Sequence, residues 1–85
     1  MNYEIYYKDS VKKDLKKIPK QRWEIIKNKI EKQLTTNPYQ GIPLKGKWEG
    51  MRKLENPPYR VIYTIIQKEN TILILRIRHR KEVYR

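Results

Sequence analysis

The sequence contains no cysteine, which excludes disulfide bonds and thiolate metal sites such as zinc ribbons. Its single histidine excludes a pair of histidines that act as acid and base, and it leaves no zinc site either. No apolar stretch approaches the roughly 20 residues of a membrane span, and the N-terminus lacks the features of a signal peptide. We therefore expect a soluble, cytoplasmic protein without metal, cofactor or membrane association.

Acidic residues are also scarce, with 9 Asp and Glu against 21 Lys and Arg. They are scattered: we place Asp14 on a helix surface and treat Glu55 and Glu82 as isolated, so the paired carboxylates of a two-metal nuclease are missing. The formal net charge of +12 and the pI near 10.0 are typical of nucleic-acid binding, although membrane surfaces and acidic proteins would also attract such a chain.

The length of 85 residues allows one small domain, which we assign to residues 1–85. Alternation of Tyr3, Ile5 and Tyr7 predicts a strand over residues 2–7. Asp9 or Ser10 is expected to cap a first helix that ends at Pro19. A second helix over residues 20–35 places its apolar side chains on one face: Trp23, Ile26, Ile30 and Leu34.

The second half of the chain predicts a connector and three strands. Prolines and Gly41 make residues 36–43 a connector, and strands follow at about 48–55, 59–67 and 71–78. A short turn at residues 68–70 places Asn70 at positive φ. The fold class is therefore α+β, in the order β-α-α-β-β-β, with a helical hairpin packed on a small, mainly antiparallel twisted sheet.

Cations are concentrated around the last three predicted strands. Alternation places Arg76 and Arg78 on one face, towards which antiparallel neighbours bring Lys53 and Arg60. The result is a concave cationic floor that suits a bent RNA backbone. The further candidates for RNA binding are Lys45, Lys47, Arg52, His79, Arg80 and Lys81.

Each candidate also has a purely structural interpretation. Arg76 can pair with Glu55 or extend its charged end to solvent, and His79 can be a surface or capping histidine. RNA cleavage without metal requires a base for the 2′-hydroxyl, stabilisation of the phosphate, and a proton for the 5′-oxygen. Arginine suits the second task through its bidentate fork. A lysine packed among cations can serve as the base, and Tyr84 or Arg80 can help to position or protonate.

Several motifs occur in a fixed order: Pro43-Leu-Lys-Gly-Lys47, Gly50, Leu54, Tyr59-Arg-Val-Ile-Tyr63 and His79-Arg-Lys-Glu-Val-Tyr84. With the lysine-rich helical hairpin before them, they resemble the RelE/ParE superfamily of toxins from bacterial and archaeal toxin–antitoxin systems. The resemblance implies a RelE-like microbial RNase fold. The RelE branch cleaves mRNA in the ribosomal A site, without metal, by attack of the 2′-hydroxyl on the adjacent phosphate.

The resemblance also implies roles for single residues. Lys53 matches the lysine that acts as base, and Arg60 matches the arginine that braces the phosphate. Arg78 takes the acid and phosphate-stabilising role, and Tyr84 orients or stacks on the nucleotide. In two places the sequence departs from the family pattern: the lysine expected two residues before Lys53 is Met51, and Arg80 competes with Arg78 in the alignment.

The implied partners are a RelB-like antitoxin, the ribosome and mRNA, with operator DNA bound only through the antitoxin complex. Two alternatives remain. A ParE-like toxin would inhibit DNA gyrase through its surface and would stay toxic after changes at Lys53 or Tyr84. A catalytically inactive relative would bind RNA with a steep salt dependence and cut nothing.

Overall fold

The computed structural model describes residues 3–82. Five strands and two helices follow one another as β1 (Glu4–Tyr7), α1 (Asp9–Leu15), α2 (Lys20–Lys29), β2 (Ile42–Pro43), β3 (Met51–Asn56), β4 (Tyr59–Ile66) and β5 (Thr71–His79). A π-helical segment, Ile30–Leu34, continues α2. The predicted helical hairpin on a sheet is confirmed. Within the described range, no helix combines the length and the apolar character needed to cross a membrane.

The strands form one sheet in the order β1-β5-β4-β3-β2. Only β1 and β5 run parallel, and the other neighbours pair antiparallel, so the prediction of a mainly antiparallel sheet is confirmed. The prolines and Gly41 of the connector predict that it forms no central strand; Ile42 and Pro43 pair with β3 as a short edge strand, which the predicted order did not include, at a position that tolerates proline. The predicted start of the next strand at Trp48 was also wrong, since Gly46–Trp48 forms a 3-10 turn before β3 begins at Met51.

The core lies between the helices and one face of the sheet. The predicted stripe of α2 is confirmed: Ile26, Ile30 and Leu34 are fully buried. Trp23 is partly buried and packs edge to face against Tyr7, with ring centroids 5.7 Å apart. Every third or fourth residue of the helix therefore faces the sheet, as the period of 3.6 requires.

A β-bulge in β5 separates its isoleucines from its arginines. Ile62 pairs with Arg76 while Tyr63 pairs with Ile74, so the ladder passes over Leu75. The strict alternation from which we placed Arg76 and Arg78 on one face would also put Ile72 and Ile74 on that face, and this extension of the pattern was wrong. One extra residue reverses the alternation, so Ile77 joins the buried isoleucines and the two arginines lie on the opposite face.

Beyond the end of β1, the N-terminal half of α1 supplies a hydrogen bond to the edge of β5. Lys8 is the N-cap residue and makes no side-chain cap, so the predicted capping by Asp9 or Ser10 was wrong. Instead the Ser10 hydroxyl donates to the backbone carbonyl of Leu75 at 2.6 Å. The bulged strand thus finds in α1 the hydrogen-bond partners that β1 is too short to supply.

Candidate nucleic-acid interface

The face of the sheet opposite the helices carries Lys53, Arg60, Arg76 and Arg78 from the predicted cationic set. Glu55, Arg60 and Arg78 are aligned across β3, β4 and β5, and Lys53 lies two residues before Glu55 on the same strand. We call Lys53, Glu55, Arg60, Arg76 and Arg78 the cationic face. The prediction that strand pairing brings Lys53 and Arg60 together with the arginines of β5 is confirmed.

Carboxylates are part of this surface, which the sequence did not indicate. Glu55 Oε1 lies 3.1 Å from Arg60 Nε, and Glu55 Oε2 lies 3.9 Å from Lys53 Nζ. We had expected Lys53 to be packed among cations alone, but the Glu55 carboxylate is one of its neighbours. An RNA phosphate that reaches Arg60 has to replace or share the Glu55 carboxylate, because both anions fit the same guanidinium fork.

Glu82 is the second carboxylate of this region. Its Oε2 accepts from Arg78 Nε at 2.8 Å, and its Oε1 accepts from the backbone N–H of His79 at 3.1 Å. Burial alone would raise the pKa of Glu82, but the His79 N–H and the charge of Arg78 outweigh it and lower the pKa. The spacing of four residues between Arg78 and Glu82 could have indicated this ion pair from the sequence. The alternating pattern of a strand does not predict it, because it relates residues two positions apart.

A cleft of about 200 Å³ opens at the end of the cationic face, beside the turn between β3 and β4. Its lining residues are Glu55, Pro57, Pro58, Tyr59, Arg60 and Arg80. The backbone N–H of Arg80 donates to the Pro58 carbonyl at 2.7 Å, which fixes the chain beyond β5 against this turn. Arg60, Arg80 and Glu55 thus line one concave site that is large enough for a phosphate group.

Arg76 is held differently from its neighbours. Its Nε and Nη2 donate to the two carboxylate oxygens of Asp14 at 2.9 and 2.7 Å. The predicted surface position of Asp14 and the alternative pairing of Arg76 with Glu55 were therefore wrong, since Asp14 is buried against β5. This bidentate pair ties α1 to the sheet, and a role of Arg76 in RNA binding stays a prediction.

His79 and Arg52 lie on the helix side of the sheet. His79 packs edge to face on Tyr59, with centroids 5.3 Å apart, and its Nδ1 accepts from the backbone N–H of Lys81 at 3.1 Å. The capping interpretation of this histidine is confirmed. Arg52 Nη1 donates to the carbonyls of Tyr39 and Gly41 at 2.9 and 2.7 Å. Neither side chain belongs to the cationic face.

The remaining predicted residues lie at the margins of the cationic face or outside the described part of the chain. Lys45, Lys47 and Lys81 are exposed; Lys45 directly precedes the 3-10 turn Gly46–Trp48 and Lys47 lies within it. Tyr84 lies outside residues 3–82. Within that range no group of three or more His, Asp or Glu side chains could hold a metal ion.

Solved structures of toxins share this arrangement of helices and sheet. The toxin–antitoxin complex RelBE2 of Mycobacterium tuberculosis matches with a TM-score of 0.88 and 25% identity, over 96% of this chain and 95% of that chain. The archaeal RelE–RelB complex of Pyrococcus horikoshii matches with a TM-score of 0.66 and 26% identity, over 98% and 100%. The isolated Escherichia coli RelE toxin matches in fold, with a TM-score of 0.77 and 17% identity, over 95% and 87%.

The architecture is therefore that of the RelE-like toxins. Toxin RelG of Mycobacterium tuberculosis is 28% identical over 86 residues, which cover 100% of this chain and 99% of that protein. A family model described as the ParE toxin of the type II toxin–antitoxin system parDE matches residues 5–84. The chain belongs to this family, within the RelE/ParE superfamily, and is a toxin of a type II toxin–antitoxin system.

Proposed function

We propose that this toxin is a ribosome-dependent, metal-independent endoribonuclease. It would cleave mRNA in the A site by attack of a 2′-hydroxyl on the adjacent phosphate and so inhibit translation. The observation that carries the proposal is the alignment of Lys53, Arg60 and Arg78 on one face of three neighbouring strands. Arginines in such an array stabilise the negative charge that develops on the phosphate.

The residues take separate roles in this reaction. Arg60 lines the cleft and would brace the phosphate, and Arg78 on the neighbouring strand would share the charge of the transition state. Lys53 would take part in proton transfer. Tyr84 would orient the nucleotide or stack on it, and the cations at the margins of the face, such as Lys45 and Lys81, would bind the flanking backbone.

The direct test is translation of a defined mRNA in a cell-free extract with added toxin, followed by primer extension. We expect cuts only on translated message, spaced by codon. Arg60→Ala should lower the cleavage rate by on the order of a hundredfold, about 3 kcal/mol of transition-state stabilisation, as for the loss of one oxyanion donor. Arg22→Ala, which removes an exposed arginine of α2, is the matched control and should cut at the wild-type rate.

A gyrase inhibitor is the second candidate, because the matching family model is that of the ParE toxin. Intact message in the translation assay, combined with inhibition in a gyrase supercoiling assay, would favour it. Changes at Lys53 should then leave toxicity intact.

We further propose that a small RelB-like antitoxin binds this toxin, since the solved M. tuberculosis and P. horikoshii relatives are toxin–antitoxin complexes. An antitoxin with acidic, amphipathic segments would neutralise a surface of this charge, and operator DNA would be bound only through the complex. Adding the antitoxin encoded beside the toxin gene should abolish cleavage in the same assay.

A further inference from the structure

Glu55 occupies the centre of the catalytic arrangement although the resemblance assigns it no role. Its carboxylate contacts Arg60 and Lys53 at 3.1 and 3.9 Å and remains 41% exposed, so a substrate can reach it. The backbone carbonyl of Glu55 also accepts a hydrogen bond from Lys29 of α2, which anchors the strand at this residue. A carboxylate fixed next to a phosphate-binding arginine is suited to proton transfer at that phosphate.

The charges around Glu55 come from every neighbouring element. Lys53 precedes it on β3, Arg60 faces it from β4, Arg80 lines the same cleft, and Lys29 approaches its backbone from α2. In the ion pair of Glu55 with Lys53 the carboxylate is the hydrogen-bond acceptor and the ammonium group is the donor. The contact therefore suits Glu55 to accept a proton and Lys53 to donate one, whereas Lys53 as base would have to give up its proton beside a carboxylate.

We propose that Glu55 is the general base of RNA cleavage and that Lys53 is the general acid, an inference that rests on the proposed ribonuclease function. Glu55 takes the proton of the 2′-hydroxyl as the 2′-oxygen bonds to phosphorus. The bond from phosphorus to the 5′-oxygen breaks, and this oxygen takes a proton from the Lys53 ammonium. The products are a 2′,3′-cyclic phosphate and a 5′-hydroxyl, and Arg60 and Arg80 hold the phosphate oxygens.

The geometry of β3 suits this pair. Residues two positions apart on one strand face have Cα atoms about 7 Å apart, which lets their side chains approach a phosphorus from the two in-line sides. After the reaction Glu55 is protonated and Lys53 is neutral. In the free protein Glu55 Oε2 and Lys53 Nζ are 3.9 Å apart and the Glu55 side chain is 41% exposed, so once the products have left, solvent water can carry the proton from Glu55 to Lys53 and restore both groups without a cofactor.

The test uses purified ribosomes that carry a defined mRNA with an empty A site, and single-turnover cleavage measured across pH. Glu55→Gln is isosteric and should cut on the order of 100- to 10,000-fold more slowly, with an unchanged toxin concentration at half-maximal rate. The cleavage rate of the wild-type protein should rise with pH on the acidic side of the profile, and this rise should be absent in Glu55→Gln. Glu55→Asp keeps the carboxylate and should retain both the rise and an intermediate rate.

Glu82→Gln is the matched control, because Glu82 pairs with Arg78 as Glu55 pairs with Arg60. It should keep the wild-type pH profile. Glu55→Gln that cuts within threefold of wild type, or that keeps the acidic rise, would overturn the inference while the ribonuclease function stands. Wild-type protein that cuts no message on these ribosomes would overturn both.

A modified substrate separates the base from the acid. An mRNA with sulfur in place of the 5′-bridging oxygen at the cleavage site has a leaving group that needs no proton. Lys53→Gln should then cut close to the wild-type rate, whereas Glu55→Gln should remain slow. The opposite pattern, rescue of Glu55→Gln alone, would assign the base role to Lys53 and overturn the inference.

Discussion

Asp14 shows how one buried side chain organises the strand that carries the cationic face. Its carboxylate accepts from Arg76 Nε and Nη2 and, at 3.0 Å, from the backbone N–H of Ile77. Burial alone would raise the pKa of Asp14, but these hydrogen bonds and the charges of Arg76 and Arg78 hold it below its ordinary value. The ionised form of Asp14 therefore stabilises the folded protein.

Asp14→Asn should lower the free energy of unfolding at pH 7 by about 2 kcal/mol, the contribution of hydrogen bonds to a charged group. Because the folded pKa lies below the unfolded one, this stabilisation is present above about pH 4 and is lost as the pH falls through the folded pKa. Urea unfolding at pH 7 and near pH 3 should show a difference from wild type that shrinks in acid.

Asp9→Asn is the control for this prediction, because Asp9 forms an exposed pair with Lys12 at 3.7 Å. It should leave the urea midpoint unchanged at both pH values. A difference between Asp14→Asn and wild type that stays constant with pH would contradict the assignment of the stabilisation to the ionised carboxylate.

Removal of the hydroxyl group is expected to change the stability of the protein in opposite directions at Tyr7 and at Tyr63. The buried Tyr7 hydroxyl has no hydrogen-bond partner among residues 3–82, and burial raises the pKa of Tyr7 to about 12. The Tyr63 hydroxyl donates to the Pro38 carbonyl at 2.6 Å and accepts from the Gly41 N–H at 3.0 Å. Removal of the Tyr7 hydroxyl eliminates a buried polar group that has no hydrogen-bond partner. Removal of the Tyr63 hydroxyl leaves two backbone groups, the Pro38 carbonyl and the Gly41 N–H, without this partner.

Tyr7→Phe should therefore raise the free energy of unfolding by up to about 1 kcal/mol, and Tyr63→Phe should lower it by about 1–3 kcal/mol. Urea denaturation of both variants checks the two signs. A loss of stability in Tyr7→Phe as large as that in Tyr63→Phe would mean that the Tyr7 hydroxyl is satisfied after all.

At the scale of elements, the connector between α2 and β3 depends on close contact with the sheet. A Cβ added at Gly41 would overlap Tyr63 Oη and would lie 2.8 Å from both Tyr63 Cε1 and the backbone oxygen of Lys53. The backbone of Gly41, at φ −70° and ψ 156°, is open to any residue, so only this contact demands glycine.

Gly41→Ala should consequently cost about 1–3 kcal/mol of unfolding free energy through overpacking. Combined with Tyr63→Phe, which removes the nearest atom, it should cost less than the sum of the two single variants. A double-mutant cycle by urea denaturation measures this coupling. Strict additivity would show that the contacts left by Tyr63→Phe dominate, namely those with the Lys53 backbone oxygen and with the ring carbon Cε1 of residue 63.

Regular elements of this fold follow from the sequence, and irregular ones do not. The stripe of Ile26, Ile30 and Leu34 obeys the helical period, and Asn70 adopts φ 48° as its side chain predicts. The bulge at Leu75 adds one residue to the alternating pattern of β5, and the sequence is equally compatible with a regular strand that has no bulge. Its position is decided by tertiary contacts with α1, which no local pattern contains.

The candidate site divides in the same way. Lys53, Arg60 and Arg78 meet because strand alternation and antiparallel pairing are local rules. The burial of Asp14 depends on Arg76, 62 residues later, and such a pairing leaves no signal in the sequence. Glu55 was treated as isolated because its partner Arg60 follows across the turn at Asn56–Pro58, where linear spacing hides the contact.

Across the whole molecule, the sheet face opposite the helices is electrically polarised. The cationic face lies towards the turn between β3 and β4, and at the other end a cavity of about 480 Å³ is lined by Glu4, Tyr6, Ile66, Glu69, Thr71 and Leu73. If RNA binds this face as proposed, its phosphates would be attracted at the cationic end and repelled at the end that carries Glu4 and Glu69. The binding energy should therefore come from a few cations rather than from the net charge of +12.

This polarity predicts how RNA affinity depends on salt. A 2′-O-methyl oligoribonucleotide lacks the attacking hydroxyl and reports binding without cleavage. Each neutralised phosphate of a single strand contributes a slope of about −0.7 to the plot of log affinity against log salt concentration. We compare two variants, each of which loses three positive charges. The face variant changes Lys53, Arg60 and Arg78 to Gln. The helix variant changes to Gln the exposed Lys12 and Lys13 of α1 and Lys16, which directly follows the helix.

The face variant should flatten the slope by about 2, since three phosphate contacts are lost, whereas the helix variant should keep the wild-type slope. Fluorescence anisotropy between about 50 and 300 mM salt measures both, after circular dichroism has established that each variant is folded. Equal flattening in the two variants would mean that RNA senses only the total charge. A change confined to the face variant would instead locate the phosphate contacts on β3, β4 and β5, where Arg60 and Arg78 are aligned.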